Sequence, residues 1–209
     1  MVNIKTYECL LPTSLVELHL QHNKLQTINK NSFHRLKNLK YLNLAFNHIS
    51  EISEESFKYL INLRELNLRN NHLKHIPSKI FYTLVNLNYL DLSSQKARLE
   101  KINNYAFDRI SNKNTISFID LTNNYIKSID NLAFCSLNKN HHVNIKRIDL
   151  QENNLKKINS CVMRQLANGY PKGEGKVAVS TSKFYNNFTN HNLLICNCEL
   201  MQASRYFFF

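Results

Sequence analysis

Residues 63–84 read LRELNLRNNHLKHIPSKIFYTL. The stretch places Leu63, Leu66, Leu68, Asn71, Leu73, Ile76, Phe81 and Leu84 at fixed intervals. Leu66 and Leu68 alternate with polar neighbours, and a period of two belongs to a short strand with one buried face. A unit this small has nothing of its own on which to bury that face. The template recurs five more times along the chain, so the units can stack on one another and share one continuous core.

The recurrences are read in columns. Units open at Leu15, Leu39, Leu63, Leu87, Ile116 and Ile145. Eight residues later stand Asn23, Asn47, Asn71, Gln95, Asn124 and Asn153. Further on come Phe33, Phe57, Phe81, Phe107 and Phe134, with Met163 in the sixth unit. The first three units are 24 residues long and the next two are 29, with polar inserts at 112–114 (NKN) and 137–144 (LNKNHHVN).

The Asn column predicts a structural ladder. The chain turns inward after each strand and takes backbone N–H and C=O groups away from water. A buried carboxamide offers two donors and an acceptor oxygen, which can satisfy those groups across successive turns. The ladder residues are Asn23, Asn47, Asn71, Asn124 and Asn153. Gln95 interrupts the column, and two extra residues follow it before the next apolar position, so a bulge is expected there.

The chain has 209 residues and a net charge of +12, from 27 Lys and Arg against 15 Asp and Glu. That excess suits acidic partners, yet it is spread along the chain as on a solvated Lys-rich surface. Only three Gly and three Pro occur, too few for a fold built on Gly/Pro turns. No apolar run reaches the about 18 residues of a transmembrane helix, and no secretory signal is visible at the N-terminus. Of the five cysteines, Cys9, Cys135, Cys161, Cys196 and Cys198, the odd count leaves at least one without an intramolecular disulfide partner.

Four regions follow. Residues 1–14 read as the remnant of an N-terminal cap, and residues 15–166 as six repeats. Residues 167–191 read as an irregular loop with a degenerate seventh repeat, and residues 192–209 as a cysteine-containing tail. The six units resemble the 24-residue leucine-rich repeat of animal extracellular and receptor proteins. That resemblance implies an α/β fold class, a right-handed horseshoe solenoid with a parallel sheet on its concave face. The tail NLLICNCEL at 192–200 is similar to the start of the cysteine-rich C-terminal flank of such proteins, with Leu193 in place of the usual Pro. The resemblance makes Cys196 and Cys198 disulfide candidates, with Cys9 as half of an N-terminal flank bridge. The chain is expected to be a fragment of a longer protein. Asn187, in the sequon Asn187-Phe188-Thr189, is the glycosylation candidate.

No constellation for catalysis stands out, and no cofactor or metal is expected. Asp91, Asp120 and Asp149 share one column, where an acid–base or cation site is conceivable. Asn43 and Asn67 occupy the same column, which suits ordinary outward polar positions. His48 and His72 follow the ladder in adjacent units and could stack as metal ligands, but Lys24 and Lys96 in that column point to a solvated edge. A partner is expected on the concave face, at Tyr41, Arg64, Arg69, Tyr89, Phe118 and Arg147, because exposed aromatics and Arg dominate interface energetics. Phe46 and Lys40 lie nearby. The strand-face charges nearly cancel, which argues against a nucleic-acid groove. Within 63–84 the template leaves Arg64, Glu65, Asn67, Arg69 and Asn70 free for function.

The resulting expectation is a non-enzymatic, protein-binding module of a secreted or cell-surface protein, in adhesion, guidance or receptor signalling. Two further readings stay open: an intracellular scaffold or regulatory repeat protein, distinguished by reduced thiols, and a binder of acidic glycans such as heparan sulphate through its basic edges.

Overall fold

The computed structural model describes residues 11–107, 110, 116–134, 147–156, 158–159 and 162. Six three-residue strands carry the fold: β1 (Glu17–His19), β3 (Tyr41–Asn43), β5 (Glu65–Asn67), β6 (Tyr89–Asp91), β8 (Phe118–Asp120) and β10 (Arg147–Asp149). They form one sheet in the order β1-β3-β5-β6-β8-β10, every pair parallel. The register puts Leu18, Leu42, Leu66, Leu90, Ile119 and Ile148 in one row. That row is buried, while its neighbours Glu17, Tyr41, Glu65, Tyr89, Phe118 and Arg147 line the other face. The ladder runs on past the strands, with Leu20 N–H to Asn43 O at 2.8 Å and Leu44 N–H to Asn67 O at 2.8 Å.

The return segments overturn the α/β expectation. No helix occurs among the described residues from 11 to 156. Among the described residues, the elements opposite the sheet are the two-residue strands β2 (Thr27–Ile28), β4 (Glu51–Ile52), β7 (Lys101–Ile102) and β9 (Ser128–Ile129), paired β2 with β4 and β7 with β9. Successive turns follow them. In the second unit Ser56 N–H bonds Ser53 O, Lys58 N–H bonds Glu55 O and Leu60 N–H bonds Phe57 O. Asn31, Glu55, Lys79 and Tyr105 take positive φ of 61–66°, each two residues before its Phe. A left-handed residue there breaks any helical run. Spacing supplies the deeper reason. Strands repeat at about 5 Å, and the Phe rings opposite repeat at 4.9–6.3 Å. Packed helices need about 8–10 Å between axes, so helices do not fit a stack this tight. Over the described residues from 11 to 156 the fold is a parallel solenoid of strands and turns.

Two columns of its core lie on opposite sides of each unit. The sheet row is one. The other is the stack Phe33–Phe57–Phe81–Phe107–Phe134, with planes within 3–14° of parallel at each step. All five Phe are buried.

The carboxamides bind the turns between these columns. Asn71 Oδ1 accepts the Ile49 N–H at 3.0 Å, and its Nδ2 donates to Leu44 O at 3.0 Å, Leu68 O at 2.9 Å and Arg69 O at 3.3 Å. Asn47 repeats the pattern on Leu25 N–H and on the Leu20, Leu44 and Ala45 carbonyls. Asn153 does so on Ile126 N–H and on the Leu121, Leu150 and Gln151 carbonyls. Asn124 reaches the Leu92 and Leu121 carbonyls. Asn23, in the first unit, bonds only the Leu20 and Gln21 carbonyls of its own repeat.

Gln95 does not break the column. Its Oε1 accepts the Leu73 N–H at 3.1 Å, and its Nε2 donates to Leu68 O at 2.9 Å. One extra methylene still reaches the same groups. The chain around it shifts instead: Gln95 donates its own N–H to Asn124 Oδ1 at 2.8 Å, where other units use the residue two further on. The two added residues are taken up in a turn ending at Arg98, whose φ is 61°.

A second Asn row, unread in the sequence, staples the strand-opening edge. Asn38, Asn62 and Asn86 donate to Thr13 O, Lys37 O and Ile61 O at 3.0, 2.9 and 2.7 Å. Their 24-residue spacing, one position before each opening Leu, was its signal.

Candidate functional site

The outward row of the sheet brings together part of the expected face. Tyr89 and Phe118 are register partners, and their rings lie 5.3 Å apart at 32°. Arg147, next in register, holds its guanidinium 5.7 Å from the Phe118 ring and pairs with the Asp149 carboxylate. Arg69 joins from the following turn, donating from Nη1 to Ser93 Oγ at 3.3 Å, and Ser93 Oγ donates to Asp91 Oδ1 at 2.7 Å. Tyr41 stands apart from this patch, separated from Tyr89 by Glu65 of β5. Arg64 lies at the strand-opening edge beside Lys40. Burial, together with the Asp91 and Asp120 carboxylates, pushes the Tyr89 phenol up to about 12. Its hydroxyl, like that of an ordinary Tyr, is protonated at physiological pH and can donate a hydrogen bond.

The carboxylate column has a structural occupation. Asn43, Asn67, Asp91, Asp120 and Asp149 each accept, through Oδ1, the N–H two residues on, at 2.9–3.1 Å. This is the side-chain turn that Asn and Asp make in preference to other residues. Asp91 is buried, and that burial raises its carboxyl. Among the described residues no group of three or more His, Cys, Asp or Glu is arranged to hold a metal ion. Of the positions the template leaves free in residues 63–84, Asn67 serves this turn and Asn70 takes a φ of 55°.

On the other edge of the sheet, His48 and His72 stack with centroids 5.2 Å apart and planes 6° from parallel. His22 and Phe46 stack likewise at 4.6 Å, and His22 is a partner the sequence reading missed. Burial lowers the His72 pKa first, aided by charge on His48 and Lys96. The fold thus disfavours the protonated ring, so this contribution to stability is full above the ordinary value of 6.5 and is lost as pH falls below it. The melting temperature should fall as the pH drops below about 6.5, and His72→Gln should flatten that slope. Equal slopes in the two proteins would remove the His pair as its source.

Cys9, Cys196, Cys198 and Asn187, like Cys135 and Cys161, lie outside the described residues. Among the described residues no helix is long and apolar enough to cross a membrane.

Comparison with known proteins agrees with the repeat geometry. Residues 13–73 and 61–113 match the leucine rich repeat family. A chain of the octameric complex of Latrophilin 3 (Lec, Olf), Unc5D (Ig, Ig2, TSP1) and FLRT2 (LRR) superposes with a TM-score of 0.60 at 25% identity, over 70% of this chain. This chain spans 42% of that one. A chain of the TLR13–ssRNA13 complex aligns over 81% of this chain and 18% of its own length, at 22% identity and a TM-score of 0.46. No curated protein sequence matches.

Proposed function

We infer, from the leucine-rich repeat domain that residues 13–113 form, a non-catalytic protein-recognition module working in the extracellular space or at the cell surface. The observation that carries it is the Tyr89–Phe118–Arg147 patch on the outward row of a sheet braced at every turn. Aromatic rings bring large contact area at small entropic cost, Arg adds charge and hydrogen-bond donors, and strands fixed in register hold both on a rigid backbone. The fold likeness to a chain of a complex that contains FLRT2 (LRR) supports an assembly role of the same kind. Tyr41, Arg64 and Arg69 extend the surface along the sheet.

The same reading makes Cys9, Cys196 and Cys198 disulfide-forming and Asn187 a glycan acceptor, in keeping with the flank-like tail. Mass spectrometry of unreduced secreted protein checks both; free thiols at all three cysteines would favour the intracellular reading.

The test of function is a screen of purified cell-surface ectodomains by surface plasmon resonance, including latrophilin 3 and Unc5D pieces. A binder is expected whose affinity falls at least about tenfold in Phe118→Ala and in Arg147→Ala, with melting temperatures little changed. A binder indifferent to both substitutions would move the site off this face.

A further inference from the structure

Beside Tyr41, at the strand-opening edge, lies an open depression of about 310 Å³ lined by Lys40, Asn62, Arg64, Asn86 and Asn88. Lys40 and Arg64 hold the same repeat position in adjacent units. Their backbones are joined by Arg64 N–H to Lys40 O at 2.8 Å, and Asn88 continues the row through its N–H to Arg64 O at 2.7 Å. A Lys and an Arg are thus held about one strand spacing, roughly 5 Å, apart at the backbone. Among the described residues neither forms an ion pair. Several cations elsewhere are matched, Lys30 and Lys58 by Glu55, Lys101 by Asp130 and Lys127 by Glu100; among the described residues Lys24 and Lys74 are exposed and unmatched as well, but do not stand in adjacent register.

The carboxamides add a second kind of recognition. Asn62 and Asn86 commit their Nδ2 groups to Lys37 O and Ile61 O. That fixes the side chains and leaves each Oδ1 able to accept. Asn88 is exposed and offers both donor and acceptor. The site therefore combines two cations for an anion with fixed acceptors for hydroxyl groups. Its volume is at the low end of small-ligand sites, about 300–1,000 Å³. A protein carboxylate would use the cations alone. A sulfated sugar presents the anion and the hydroxyls together.

We propose that this depression binds a sulfated saccharide unit, as a glycan co-ligand at the edge of the protein-binding face. Arg64 lies where this depression meets the protein-binding surface, while Phe118 lies outside its lining.

A heparin-derived tetrasaccharide, titrated into the full chain in 0.15 M salt and followed by calorimetry, tests it. Lys40→Gln/Arg64→Gln should weaken binding at least about tenfold. Lys24→Gln/Lys74→Gln removes the same charge from exposed sites elsewhere and should leave the affinity within about twofold. Phe118→Ala should leave it unchanged, which separates this site from the protein-binding face. Equal losses in the two double variants would reduce the effect to non-specific charge and overturn the proposal. So would absence of binding at this salt, or an acidic hexaglutamate peptide binding as tightly through Lys40 and Arg64, which would assign the depression to a protein carboxylate.

Discussion

Phe81→Ala will lower the free energy of unfolding by about 3–5 kcal/mol, the cost of truncating a buried aromatic residue and leaving its cavity. Phe81 sits in the middle of the ring stack, 6.3 Å from Phe57 and 6.1 Å from Phe107. Neighbours cannot collapse into the gap, because the sheet row opposite fixes the spacing of the units on either side. The loss acts on two interfaces at once. In a solenoid stabilised by nearest-neighbour contacts, weakening both can split one cooperative transition into two. Phe81→Leu keeps most of the volume and should cost well under half as much. Chemical denaturation followed by circular dichroism checks both magnitude and cooperativity. A cost below about 1 kcal/mol would mean that the stack is not a core column.

Asn71→Ala will cost about 3–7 kcal/mol by a different route. Its side chain is 0% exposed and serves four backbone groups. Three of them have a second donor: Leu44 O keeps Asn47, Leu68 O keeps Gln95, and Arg69 O keeps the Phe46 N–H. Each therefore loses about 0.5–1.5 kcal/mol, while the Ile49 N–H loses its acceptor outright, at about 1–3 kcal/mol. Asn23 makes two bonds within its own unit and is half-buried, so Asn23→Ala should cost about 1 kcal/mol. Equal costs at the two sites, in the same denaturation experiment, would refute the cross-repeat ladder.

What the sequence made legible is what repeats in it. The Leu and Phe columns and the Asn ladder each place one chemistry at a fixed interval, and a solenoid converts interval directly into adjacency. The convex side was misread because the fold class came with the resemblance and not from the residues. Asn31, Glu55, Lys79 and Tyr105 share a left-handed conformation but no residue type, so no column announced it. Gln95 was misjudged for a similar reason: residue identity changed while the bonding groups did not. On the candidate face, the outward positions could be named from period two alone. Which of them touch could not. Tyr89, Phe118 and Arg147 form one patch because they follow one another in register, whereas Glu65 intervenes before Tyr41. The occupation of Asn67 and the Asp column depended on a hydrogen bond two residues on, which any outward polar position could have made or omitted.

A partner seated on the outward row of the sheet would shield the side chains it covers. Hydroxyl-radical footprinting of the protein with and without a binder from the ectodomain screen tests this placement directly, because oxidation reports the exposure of individual aromatic side chains. Tyr82 and Tyr125 are 39% and 43% exposed and stand outside the outward row, so they serve as internal references. Oxidation of Tyr89 and Phe118 is expected to fall on binding while Tyr82 and Tyr125 stay unchanged. Protection of Tyr82 or Tyr125 with Tyr89 and Phe118 still open would contradict that placement.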